Sequence, residues 1–434
     1  MKMNDITIKV HHFGPLENVS FKLAPMMIFT GMSSLGKSYA NYLVYYFMYM
    51  VCNGRLRSFV KDNITESDEL QRFVFNLDDF FAELSAGAED FMRKFLGDDE
   101  LVCKVEFRSL KRNREIYFEV QKGGQRQMHE QEGDEVPLIH NTVPYELSIS
   151  DSPRRLVPSV EYARFYVEHE IQEFVLGETV NRAVILPPGR GAFAGENFSV
   201  KSEVASSLNM YNNYFRDYDF GLNVRIRRIS DVDDDLSDRL LNLTSGGRLV
   251  SIDGKQYLQI SERQRIALSA GASSIKDLSP WLFYLKNHWM MPCAFCLEEP
   301  EAHQHPSVTV QIADVMAISM HLHPRYSNLF HLTTHSDYLI QRINQLIKLG
   351  GIRRKDKAVF HQICKERDLD KHSYLDAKDI QAYFFSKNEK GKTTVESLPV
   401  TDDGIPMKTF FDVVRDLEER EEYINTAIYR LNKD

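Results

Sequence analysis

Cysteine is scarce in this 434-residue chain, which has only five: Cys52, Cys103, Cys293, Cys296 and Cys364. An odd, dispersed set excludes a disulfide-built scaffold and fits a reducing compartment. Cys293 and Cys296 form a lone CxxC inside an apolar run that reads as a strand, where residues three apart face opposite sides. Without a second pair at ligand spacing, it does not read as a zinc or redox centre. Membrane-length apolar runs are also missing. Residues 39–52 carry no charge, but their fourteen positions fall short of the roughly 20 that span a bilayer. The opening MKMNDITIKV has no signal-peptide core, so the expectation is a cytoplasmic protein with no membrane role. Positive charge is in deficit, with 53 Lys and Arg against 62 Asp and Glu and a formal net charge of -9. That excludes a polyanion-binding surface spread over the whole molecule, and any nucleic-acid contact needs a local basic patch. No internal repeat or low-complexity tract is present, which argues against solenoids and linkers.

What is present is a globular composition, 43% hydrophobic and 26% charged, in a chain long enough for one large domain with an insertion or for two domains. Its organising stretch is MMIFTGMSSLGKSYANYLVYYFMYMVC, residues 26–52. Gly31, Gly36, Lys37 and Ser38 satisfy G-x-x-x-x-G-K-[ST] between a short apolar strand and a helix-length apolar run. Glycine lets backbone N–H groups curl around a phosphate, with Ser33 and Ser34 in the same turn. Lys37 adds charge, and the start of the helix adds free N–H groups and its dipole. The Ser38 hydroxyl suits Mg²⁺.

Along the chain, residues 5–13, 19–23 and 26–29 read as strands, and the first helix runs to about Cys52. Residues 66–76 and 78–96 read as charged helices and 101–107 and 114–121 as alternating strands. Residues 123–136 read as loop and 159–176 as helix. Residues 182–186 form a core-type strand and 199–218 a helix, and 249–251 and 257–260 form a hairpin around Asp253-Gly254. In the tail, residues 358–364, 380–385 and 394–400 read as strands and 407–431 as a helix. The apolar positions of that last helix (Phe410, Val413, Val414, Leu417, Ile424, Ile428) suit packing on the rest of the chain or on a partner.

Three further stations suit a triphosphate. In LSAGASS, Ser269 and Gly271 sit in a small-residue turn that opens a helix, an anion-binding arrangement. In CAFCLEEPEAHQH, an apolar strand ends in Glu298 and Glu299. The first is placed for Mg²⁺ and the second for orienting or deprotonating water. In TTHSD, His335 follows a short strand, on the edge where open α/β sheets bind ligands. His303 and His305 belong to the loop after the carboxylates, and neither they nor His321 and His323 read as metal ligands. Basic clusters at residues 55–57, 111–114, 225–228 and 353–355 are candidates for DNA or a polyanionic protein.

The order phosphate loop, LSAGASS, LEEPEAHQHP, TTHSD resembles the ABC-type ATPase heads of the SMC and Rad50 class, in the bacterial branch that includes the ATPase part of OLD-family nucleases. The resemblance covers about the first 50 residues and roughly 180 to 350. It implies an α/β P-loop ABC-type ATPase head, a mixed sheet flanked by helices, with an inserted mainly helical block. The corresponding division is 1–54 for the lobe with the phosphate loop, 55–177 for the inserted helical and β block, 178–350 for the rest of the head, and 351–434 for strands and a helix completing it. It also implies two heads clamping two ATP molecules with Mg²⁺. Lys37 and Ser38 then bind phosphate and metal, Glu298 is the Walker B acid and Glu299 the base. Ser269 and Gly271 contact the γ-phosphate in trans, and His335 is the switch histidine. Departures are Ser33 where relatives often have Asn, Tyr39 for Thr, Ala270 and Ala272 in the signature, and Glu298 for Asp.

The metal-binding TOPRIM domain of OLD-type nucleases has no counterpart after His335. The expectation is therefore an ATP-hydrolysing switch that pairs through its ATP sites and controls a separate effector, a nuclease or toxin, like stand-alone ATPases of Septu- and PARIS-type anti-phage defence. DNA or a phage protein is a further candidate partner. The alternatives are a nucleotide-dependent scaffold with negligible turnover and a DNA-repair or DNA-tethering ATPase.

Overall fold

Fully apolar runs suit strands buried on both faces, and these runs build the centre of the molecule. The computed structural model describes residues 3–52, 56–64, 70–109, 115–122, 138–143, 159–177, 180–193, 210–211, 213–214, 247–252, 255–288, 292–321 and 327–431. The chain opens with β1 (Ile6–Phe13) and β2 (Leu16–Lys22), then β3 (Met26–Gly31) leads through a glycine turn into α1 (Lys37–Val51). Next come β4 (Lys61–Ile64), β5 (Leu70–Asn76), α2 (Leu77–Leu96), β6 (Cys103–Ser109), β7 (Glu115–Lys122), β8 (Leu138–Val143) and α3 (Ser159–Leu176). After β9 (Arg182–Leu186) follow β10 (Arg248–Ile252), β11 (Lys255–Gln259), β12 (Arg265–Ala267) and α4 (Ser273–His288). β13 (Cys293–Glu298), α5 (Pro306–His321), β14 (Leu329–Thr334), α6 (Asp337–Lys355) and α7 (Lys357–Glu366) lead to β15 (Ile380–Lys387), β16 (Thr393–Leu398) and α8 (Lys408–Leu431).

The main sheet has the order β16-β15-β3-β14-β13-β9, parallel except for its β16 edge. Every residue of β13 and β14 is buried. A second, antiparallel sheet, β2-β1-β6, takes β6 from the stretch expected to be an insertion. That stretch also holds a four-stranded sheet, β4-β5-β7-β8, and the helices α2 and α3. The uncharged run after the phosphate loop is explained by burial: α1 is covered along most of its length and packs on β9, β13 and β14. α2 covers another side through Tyr45–Phe95 and Tyr46–Phe91, with ring centroids 5.4 and 4.7 Å apart. Among the described residues no helix is long and apolar enough to cross a membrane.

Two expectations are corrected. Residues 70–76, read as part of a charged helix, form β5: in the sequence LQRFVFN the two phenylalanines stand two apart, at strand spacing, and the acids that suggested a helix precede the strand. Residues 358–364, read as a strand, form α7. Phe360 and Cys364 are buried four apart while Val359 is exposed, and the Asp356 carboxylate caps the N–H groups of Ala358 and Val359. In α8, Leu417, Ile424 and Ile428 are exposed, so this part of the apolar face does not pack on the other described residues. The loop at residues 123–136, most of the helix at 199–218 and the basic clusters at 111–114 and 225–228 lie outside the described residues.

Candidate functional site

Parallel strands deliver their carboxyl ends to one edge of a sheet, and here four such ends converge: those of β3, β9, β13 and β14. At the end of β3, Gly31 adopts φ +117°, and a Cβ there would lie 2.2 Å from the Phe385 carbonyl of β15. That close approach lets Met32 N–H donate to the same carbonyl at 3.0 Å, so β15 fixes the entry to the phosphate loop. Ser34 stands at φ +61° and Gly36, the N-cap of α1, at φ +92°. Glycine offers no side-chain cap, which leaves the first-turn N–H groups of α1 to the loop. Lys37 is 6% exposed, and its Nζ donates to Gly31 O at 3.1 Å and Met32 O at 2.7 Å. Burial pulls its pKa down to about 8, against the pull of Glu299, Glu298 and Glu301.

Glu298, at the end of β13, is 2% exposed and held by three donors. Ser38 Oγ lies 2.6 Å from Oε2, Thr333 Oγ1 3.0 Å from Oε2, and Asn41 Nδ2 2.8 Å from Oε1. Burial raises its pKa and these hydrogen bonds oppose the rise. A hydroxyl and a carboxylate in contact make a hard oxygen pair that fits Mg²⁺, and the buried Asn41 Oδ1 beside them has no hydrogen-bond partner among the described residues. Ser38 and Glu298 are therefore the residues that could hold such an ion. Among the described residues, no cluster of three or more His, Cys, Asp or Glu offers another cation site.

Glu299 follows at φ +45°, a left-handed conformation that an ordinary residue adopts only when held. Its N–H donates to Thr333 O and Thr333 Oγ1, both at 3.2 Å, which turns the half-exposed carboxylate outward. His335 Nε2 lies 3.6 Å from Glu299 Oε1 and 3.5 Å from Ser33 Oγ. Burial, aided by Lys37, lowers its pKa, which favours a neutral imidazole. Glu301 fixes the histidine's backbone: its Oε1 accepts from Thr334 Oγ1 at 2.6 Å and from His335 N–H at 2.8 Å.

Thus Gly31, Ser33, Ser34, Gly36, Lys37, Ser38, Glu298, Glu299 and His335 share one site. Ser269 and Gly271 do not join it. Leu268 is buried and anchors their turn, Ser269 is exposed, and among the described residues no hydrogen bond or ion pair links them to the phosphate loop. Four residues of the site escaped sequence reasoning: Asn41, Thr333, Glu301 and Arg190. Asn41 had a usable signal, as an amide one turn beyond Ser38 in an otherwise apolar helix. Arg190 is 3% exposed, and its Nη1 donates to Glu298 O at 2.7 Å.

No family model matches the chain, and no curated protein does. Among solved structures it is similar to an SMC head bound to the C-winged helix domain of ScpA, at 11% identity over 92% of this chain and 98% of that one, with a TM-score of 0.39. The SMC head domain from Thermotoga maritima is 9% identical over 92% of this chain and 99% of that one, with a TM-score of 0.33. An SMC head with an extended coiled coil from Pyrococcus furiosus is 11% identical over 96% and 98%, with a TM-score of 0.34.

Proposed function

We propose that this chain binds ATP with Mg²⁺, hydrolyses it, and works as a nucleotide-driven switch between separate and paired copies. The observation that carries the reading is the Glu298 cluster. A buried carboxylate bonded to the phosphate-loop serine stands beside a half-exposed carboxylate and a histidine. In the proposed reaction Lys37 exchanges its two loop carbonyls for the outer phosphate oxygens, joined by the first-turn N–H groups of α1. Ser38 Oγ and Glu298 would hold Mg²⁺, which when bound offsets the charge of the phosphates. Glu299 orients the attacking water and accepts its proton, and His335 Nε2 hydrogen-bonds the transferring group.

The exposed turn at Ser269 and Gly271 serves a second copy of the chain, completing that copy's site. Control of a separate nuclease or toxin in anti-phage defence is the biological setting we propose, supported by the order of the motifs.

Phosphate release tests the chemistry. Lys37→Ala is expected to lose ATP binding. Glu299→Gln keeps binding and loses turnover by a factor of about 100. Equal, near-zero rates in wild type and Glu299→Gln would remove the enzyme reading and leave a nucleotide-dependent scaffold.

A further inference from the structure

The loop after β9 places a cation where the proposed chemistry does not use one. The guanidinium of Arg190 is enclosed by main-chain carbonyls: Nε donates to Asp277 O at 2.8 Å, Nη1 to Glu298 O at 2.7 Å and Pro187 O at 3.3 Å, and Nη2 to Glu299 O at 3.5 Å. The Asp277 carboxylate is engaged elsewhere. Its Oδ1 accepts from Gly191 N–H at 2.9 Å, and its Oδ2 pairs with His303 Nδ1 at 2.6 Å. Glycine at 191 leaves room for that carboxylate, since a Cβ would lie 2.3 Å from Asp277 Oδ1.

A guanidinium buried among carbonyls, with no carboxylate among the described residues hydrogen-bonded to it, is costly to maintain and fixes geometry through its planar fork. What it fixes is telling. One end is the backbone of Glu299, held in its left-handed conformation by Thr333 on the N–H side and by Arg190 on the carbonyl side. The other end is Asp277, about one turn into α4, the helix that begins just after the Ser269–Gly271 turn. Gln304, next to His303, donates to Ser274 O at 2.8 Å and ties the start of α4 to the same loop.

We infer that Arg190, with Asp277 and His303, is a positioning unit that couples the exposed turn before α4 to the backbone of Glu299. A triphosphate from the partner copy, engaged at the turn, is thereby sensed at the carboxylate of the same chain. This rests on the ATPase reading above. It adds that the two sites of a pair communicate through this cation.

The test is steady-state ATP hydrolysis by the full chain, with affinity for a non-hydrolysable ATP analogue measured alongside. Arg190→Lys keeps the charge and loses the fork. His303→Ala alters a largely exposed side chain, 63% accessible, and leaves the core intact. Both variants are expected to keep analogue affinity within about twofold while kcat falls about tenfold or more for Arg190→Lys and less for His303→Ala. In both, the Hill coefficient for ATP falls toward one. Unchanged kcat and cooperativity in both variants, with wild type active, overturns the coupling alone. Loss of analogue affinity in step with kcat overturns it too, because the unit would then be structural only. A wild type without turnover overturns the ATPase reading and the coupling with it.

Discussion

His331 shows what burial costs a single residue. It is 0% exposed within β14, its Nε2 lies 3.3 Å from Ala24 O, and burial lowers its pKa to about 4. The unfolded chain takes up a proton near pH 6.5 and the folded chain only near 4. The stability tied to the neutral ring is thus complete above pH 6.5 and is lost as the pH falls toward 4, by up to about 3 kcal/mol. Glu298, Glu301 and Asp314, whose pKa values burial raises, act in the opposite sense, so the difference between variant and wild type is the readout. His331→Leu is expected to start less stable at pH 7.5 and to lose less in Tm down to pH 5.0. Parallel slopes would refute this. The same burial explains which site residues the sequence announced. Lys37, Glu298, Glu299 and His335 are polar groups at the ends of apolar runs, and the chemistry of such places is readable. Thr333 and Glu301 act through partners more than thirty positions away, and no periodicity in one chain encodes such a pairing.

At the scale of elements, α6 breaks its own propensity for a reason. It contains Gly350, which is unfavourable within a helix, yet a Cβ there would lie 2.0 Å from Leu375 O. The gap lets the chain after α7 run against the helix, where Leu375 N–H donates to Leu346 O at 3.0 Å. Gly350→Ala would gain about 1 kcal/mol of helix propensity and lose about 2 kcal/mol or more to overpacking. A net fall in Tm is the expected result, and an unchanged or raised Tm would show that the loop shifts freely. The two misread elements have local causes. Residues 358–364 are apolar enough for a strand, but the Asp356 cap and the spacing of Phe360 and Cys364 make a helix. In β5 the acids before the strand masked the alternation of its aromatic residues. Central strands were readable because burial on both faces leaves only apolar residues, whereas the grip of β15 on the phosphate loop is a tertiary contact with no sequence signature.

For the whole molecule, the placement of charge and of the exposed turn bears on partners. Of the four basic clusters, the one at residues 353–355 is largely committed within the chain. The Arg353 guanidinium sits over Tyr374 at 4.1 Å, and Arg354 pairs with Asp376 and Asp402. In a chain of net charge -9, this cluster gives no support to broad polyanion binding. If two copies clamp ATP between the phosphate loop of one and the Ser269 turn of the other, damage to the two halves must complement. Lys37→Ala keeps a sound turn and lacks the grip, and Ser269→Arg keeps the grip and blocks the turn. Each alone is expected to show no turnover, and Ser269→Arg to stay monomeric with ATP by light scattering while still binding nucleotide. Mixed in equal amounts, they form a hybrid pair with one intact composite site of two, so activity returns to at most about half of wild type. If both variants fold and ATP still promotes pairing in the mixture, yet no phosphate is released above either variant alone, the shared site is wrong. Turnover by Ser269→Arg as an isolated monomer would refute it more directly.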